Sequence, residues 1–209
     1  MKDVLKNSIK WSLSIAVITF VLAAIFSIIS NLILNEVTWV IGLIVVLIIV
    51  FIGIFFDMLG IAATAADETP FHAMAAKKVY GSKPSIRIVR NADRFASFCN
   101  DVIGDISGII SGAAAAIVLI GLTIDLQINN GSPAEYAINV ILTSFLAALT
   151  VGGKAIGKTM AIQYSKDIIF QVGKVLQFVE DKFHITIIKD KKDKKDKKRK
   201  QREKTKQNI

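Results

Sequence analysis

A single cysteine, Cys99, rules out any disulfide within the chain. It lies in an apolar stretch, where a thiol is read as a small buried hydrophobe. Histidine is almost as scarce. His72 and His184 are the only two, far apart in sequence, which argues against a zinc centre. No nucleophile elbow, phosphate loop or HExxH motif is present, and no enzyme is expected. Paired aspartates cleave peptide bonds within membranes when they sit on separate helices. Asp101 and Asp105 are instead four residues apart in one segment. Two connections between apolar runs also lack lysine and arginine altogether. That last absence sets the topology expected below.

What is abundant is apolar sequence in long runs. Apolar residues make up 53% of the 209 positions, a modest excess over soluble domains, but they come in stretches long enough to cross a bilayer. The first runs from Trp11 to about Leu34, too long for the hydrophobic core of a signal peptide and without a small-residue cleavage site. Asn35 and Glu36 read as a tight hairpin into a second run, Val37 to Leu59. A third is expected over Ser97–Leu122. A fourth spans Ala134–Leu149 and continues into the glycine-rich VGGKAIGKTMA of residues 151–161. The fold class predicted is an all-α integral membrane protein with about four transmembrane helices and juxtamembrane cytoplasmic helices.

Between the second and third runs, Asp67, Glu68, Thr69 and Pro70 mark a break, with Pro70 suited to a first helical turn. His72–Tyr80 reads as a short helix, Gly81–Pro84 as a turn, and Ser85–Ala96 as a helix at the membrane surface. Ser165–Phe183 is amphipathic enough for a cytoplasmic or interfacial helix. From Lys189 onward the chain cannot build a core and is expected to be disordered.

Charge supplies an independent test of the span count. Of the net +9, the tail at 189–209 carries +8, from twelve basic residues against four acidic ones. The 67–96 connection holds Lys77, Lys78, Lys83, Arg87, Arg90 and Arg94 against Asp67, Glu68 and Asp93. The other two connections carry Glu36 in one case, and Asp125 and Glu135 in the other. The positive-inside rule then places both termini and the 67–96 connection in the cytoplasm of a multi-pass cell-membrane protein, which requires an even number of spans. The tail's partner is expected to be anionic lipid headgroups. No aromatic residue interrupts it to stack on bases, so no specific nucleic acid is predicted.

Polar residues within the apolar runs are the candidate site. Asp101 and Asp105 share one helix face with Asn100 and Gly104 on the next stripe. Such groups normally face a bundle interior and mark an ion pathway; alternatively they cap a helix near the interface and pair with nearby basic residues. Lys154 and Lys158 lie four apart on the tail of the fourth span. Lys154 is expected either to pair with Asp101 or Asp105, or to put its ammonium where a cation would bind. Asp57 closes the second run. After it, Gly60 marks either a kink exposing carbonyls or close helix packing, and Thr64 either ligates an ion or bonds to its own helix. Hard cations such as magnesium take oxygen ligands of this kind. The metal set expected is Asn100, Asp101, Asp105, Thr64 and Gly60, with Lys154, Lys158 and Gly153 beside it.

The segments GIAATAADETPFHAMAAKKVYG, NADRFASFCNDVIGDISGIISG and VGGKAIGKTMA, in that order and spacing, resemble the transmembrane domain of the cyclin M/CorC family of magnesium transport proteins. The resemblance covers about residues 40–165. It implies three spans with juxtamembrane cytoplasmic helices between the first and second, a homodimer, and an additional N-terminal helix at Trp11–Leu34. The family's small-residue motif falls on Gly60 to Thr64. Its glycine–asparagine–asparagine stretch falls on Cys99, Asn100 and Asp101, and its Gly-Glu-x-x-Pro-Lys on Gly153 to Lys158. The asparagine and that glutamate help hold a dehydrated magnesium ion in the family. Here the glutamate position is Lys154 and the proline position Gly157, while Asp101 and Asp105 add carboxylates. In place of the family's cytoplasmic nucleotide-binding pair, a short helix and a charged tail are expected. The organisation expected is therefore 1–36 as an N-terminal segment with an extra span, 37–165 as the CorC-like domain, 166–188 as a cytoplasmic or interfacial helix, and 189–209 as tail. Two functions remain open. Either the acids compensate and a divalent cation is moved or sensed, or Lys154 neutralises the cavity and the chain is a non-transporting scaffold or partner subunit.

Overall fold

The computed structural model describes residues 2–35, 37–129, 131–183 and 188, with the side chains of 2–8, 10, 11 and 35 left aside. Glu36, His184 and the tail from Lys189 lie outside the described residues. Among those described, all regular structure is helical. In chain order the elements are α1 (Lys2–Asn35), α2 (Trp39–Ala65), α3 (Thr69–Ala76), α4 (Ser82–Arg90), α5 (Ala92–Ser97), a π-helical segment (Phe98–Gly104), α6 (Asp105–Asp125), α7 (Pro133–Gln163) and α8 (Ser165–Phe183). Four stretches are long and apolar enough to cross a membrane: Ser12–Leu34, Trp39–Ala65, Ala92–Asp125 and Pro133–Gln163. This agrees with a multi-pass membrane protein, since helices satisfy every backbone group internally where lipid offers no partner. The chain divides into two units, Met1–Met58 with Ser97–Lys158, and Leu59–Ala96 with Thr159–Ile209.

In the first unit, α2 and α6 run antiparallel with small residues at their seam. A Cβ on Gly42 would lie 2.9 Å from Val118, and one on Gly53 2.9 Å from the Cβ of Ser107. Moving eleven residues up α2 thus moves the partner eleven residues back along α6, so the register holds along the crossing. Small side chains let the backbones approach where lipid gives no hydrophobic drive to association. Trp39 Nε1 donates to Asp125 Oδ2 at 3.0 Å, tying the start of α2 to the end of α6. One apolar cluster joins Leu34, Val46, Ala114, Val118 and Leu146, and another joins Val102, Ile106 and Ile110 with Leu22 and Ile49 around them. The α7 start is capped from both sides. Ser132 Oγ accepts from the Glu135 amide at 3.3 Å, and the Glu135 carboxylate accepts from the Gly131 amide, a relative of the capping box.

In the second unit, α8 docks on α4. Gly81 sits at φ 90° before α4, a left-handed conformation that glycine adopts without a Cβ clash. Ser85, fully buried, donates to the Gly81 carbonyl at 2.9 Å and lies 3.2 Å from the Ile169 carbonyl of α8. A Cβ on Gly173 would run into Ser85 Oγ, so glycine is what lets the two helices meet. Arg87 pairs with Glu180 at 2.5 Å, and the Tyr80 hydroxyl donates to Asp181 at 3.2 Å.

Boundaries differ from the sequence expectation in identifiable ways. The segment expected as one helix over Ser85–Ala96 is broken at Asn91, whose Nδ2 bonds the Arg87 carbonyl at 2.8 Å and closes α4. The turn expected over Gly81–Pro84 shrinks to Gly81, because Pro84 fits the first turn of α4. The fourth apolar run continues past Leu149 into the glycine-rich segment as expected, as one helix to Gln163.

A candidate cation site at Asp57, Asn100 and Lys154

Asp57 is the only charged residue of α2. It lies in the first unit and forms an ion pair with Lys154 of α7, Oδ1 to Nζ 3.7 Å. The side chains retain 17% and 32% of their exposure, so the pair is largely withdrawn from its surroundings. The ammonium therefore meets Asp57, and not Asp101 or Asp105 as expected. Both of those carboxylates are exposed. A lone carboxylate in an apolar span is expensive, and a facing lysine removes most of that cost by neutralising it.

The third apolar stretch is unwound in the region where the candidate ligands fall. Over Phe98–Gly104 it is π-helical, and the Asp105 amide donates to the Asn100 carbonyl five residues back. Such segments are uncommon and frequently sit at functional sites. The irregularity anticipated at Gly60 is thus in another helix: α2 runs as regular α-helix through Gly60. Gly104 closes the π segment against α2. A Cβ added there would stand 3.4 Å from the Cys99 carbonyl, 3.9 Å from Asp57 Oδ1 and 3.9 Å from the Gly53 carbonyl. Glycine leaves those three oxygens facing bare backbone.

Asn100 is the most informative residue of the set. Its Oδ1 is buried and has no hydrogen-bond partner among the described residues. An unmet buried acceptor costs on the order of 1–3 kcal/mol and calls for a donor, a water or a cation. On α7, Gly153 and Gly157 lie against Ile54, which lets that helix approach α2 and brings Lys154 to Asp57. Lys158 is exposed.

Gly60 and Thr64 belong to the second unit. Gly60 is buried, in keeping with close packing, and Thr64 Oγ1 donates to its own helix at the Ile61 carbonyl, 2.8 Å. That is the commoner role for a helical threonine. Among the described residues no three His, Cys, Asp or Glu side chains cluster as metal ligands. The oxygens nearest Gly104 are instead the Asp57 carboxylate and two main-chain carbonyls within helices, with Asn100 on the same π turn. Magnesium tolerates such a sparse set, because it is usually held by one or two carboxylates and keeps several waters. Asp57 was missing from the expected ligand set, although its isolation in an otherwise uncharged span marked it. Comparison of the chain with family models, curated proteins and solved structures finds no match.

Proposed function

We propose that the chain is a transport-related membrane protein of the cyclin M/CorC type that handles a divalent cation, magnesium first. The observation carrying this reading is the buried, unpartnered Oδ1 of Asn100 on a π-helical turn, at the position where the resemblance puts a magnesium-binding asparagine. Asp57 supplies the negative charge, and Lys154 serves as an internal counter-cation that an incoming ion displaces. The reading carries with it a homodimer, cytoplasmic termini, α3–α5 and α8 as juxtamembrane cytoplasmic elements, and a tail against anionic headgroups. It assigns no catalysis. In proteoliposomes the protein should take up magnesium, and Asn100→Ala or Asp57→Asn should reduce uptake at least tenfold. Absence of flux together with no magnesium-dependent shift in melting would overturn it.

The Lys154–Asp57 pair favours a second reading, in which the ammonium stays in place and the protein is a non-transporting scaffold or partner subunit. Lys154→Glu should then create magnesium binding where the native chain has none. Magnesium binding by the native chain removes the motive for this reading.

A further inference from the structure

We infer that the outward face of α8, together with the 77–80 turn, docks on an anionic lipid surface, so that α8 lies within the headgroup layer. The inference rests on the membrane reading above and on the cytoplasmic placement of 67–96, not on the cation. Every residue concerned belongs to the second unit. One face of α8 is already used, since Ile169 and Gly173 are buried at the seam with α4. Val175 and Phe178 stand two and five residues beyond Gly173, about 200° and 140° round the helix, and so on the far side. They are 64% and 60% exposed, and half-buried Ile168 and Val179 border them. A second apolar stripe, opposite a face that is already packed, calls for a cover. The apolar residues expected at the membrane surface in Ser85–Ala96 do not compete for that role, because Ile86 and Ile88 are buried.

Position and charge name the cover. The Pro133–Gln163 stretch, long and apolar enough to cross a membrane, ends one residue before Tyr164, and α8 starts at Ser165. Tyr164 is exposed, as befits a residue type enriched where membrane meets water, so α8 begins at headgroup level. Lysines rim the stripe. Lys182 lies nine residues beyond Gly173, about 180° round the helix, with its ammonium 6.0 Å from the centre of the Phe178 ring. Lys174 stands 4.3 Å over Phe170. Such side chains lay their stems on apolar surface and lift their charges to the phosphates. The 77–80 turn adds exposed Lys77, Lys78 and Val79, and is fastened to α8 by Tyr80 donating to Asp181 and the Gly81 amide donating to Gln177. Arg87 Nη1 donates to the Ile188 carbonyl at 3.1 Å, so the basic tail also starts from this unit. Lysines around an apolar stripe suit an anionic leaflet. A second copy of the chain would instead set Lys182 and the basic tail against their own like.

The test uses the full chain in nanodiscs of phosphatidylcholine with and without phosphatidylglycerol. Both leaflets then have one composition, so the result does not depend on which side α8 occupies, and a wrong sidedness is caught separately by cysteine labelling in cells. Nitroxides are attached to Val175→Cys, Phe178→Cys and Lys166→Cys, the last exposed and only about 20° round the helix from Gly173. Collisions with oxygen and with a water-soluble nickel chelate give their depths. With phosphatidylglycerol present, the labels at 175 and 178 should lie about 5–10 Å into the headgroup and acyl boundary, with the label at 166 in water. Without it they should move outward. Combining Lys77→Gln, Lys78→Gln and Lys182→Gln should abolish the dependence on phosphatidylglycerol. Labels at 175 and 178 as wet as that at 166, or a depth indifferent to phosphatidylglycerol, would overturn the proposal. So would strong dipolar broadening between Val175→Cys labels of two copies, which would make a second protomer the occupant.

Discussion

Lys154 and Asp57 stabilise each other only as a pair. Replacing Lys154 by Met leaves the Asp57 carboxylate in an apolar span without its counter-ion. Because both side chains keep some exposure, the expected loss is about 1–3 kcal/mol, below that of a fully buried pair. Thermal melting in detergent should show it, and the double variant Asp57→Asn with Lys154→Met should recover most of the native stability. Tyr80 gives a pH-dependent prediction outside the spans. Partial desolvation of the exposed ring first, then the hydrogen bond to Asp181 and that residue's charge, raise its phenol above the usual value of 10.0. The fold thus favours the neutral phenol. Its contribution is complete below pH 10.0 and is lost as pH climbs through the raised folded value. A melting curve should show extra destabilisation above pH 10.0 that Tyr80→Phe lacks. At this scale Asn100 was legible in the sequence by type and position. The partner of Lys154 was not: Asp101 or Asp105 was expected, and packing selects Asp57 instead.

At the scale of the element, the π segment decides which residues α6 turns toward α2. Its hydrogen-bonded rings hold one residue more than those of an α-helix. Deleting Val102 should therefore restore α geometry with the residues beyond it kept on the same face. The Gly53–Ser107 seam should survive, and the melting temperature should fall by no more than the ordinary cavity that Val102→Ala leaves. The seam between α4 and α8 yields a parallel prediction. Gly173→Ala forces a methyl against Ser85 and should destabilise by about 1–3 kcal/mol, detected as faster hydrogen exchange in α4 and α8. Helix identity and approximate length were readable from apolar runs and from Pro70, Gly81 and Pro133. The π segment was not, because FCNDVIG carries no proline, its one glycine is of a kind common in packed spans, and its geometry is set by the neighbours it meets.

For the whole molecule, the proposed topology puts the 67–96 connection and the 126–132 loop on opposite sides of the bilayer. With Cys99 buried and unreactive, Asn129→Cys should be labelled by an impermeant maleimide in intact cells, and Lys77→Cys only after permeabilisation. Labelling of both from outside would overturn the cytoplasmic assignment. The sequence alone determined that the described chain is helical and carries four apolar stretches of membrane-crossing length, because run length and the cost of unpaired backbone in lipid are properties of local composition. Only the tertiary structure decided which acid Lys154 neutralises, where a span leaves α geometry, and that Asn100 Oδ1 and Ser30 Oγ are buried with no hydrogen-bond partner among the described residues. Those are distances between residues tens of positions apart, and they follow from how closely glycine and serine let helices approach, which local composition does not encode.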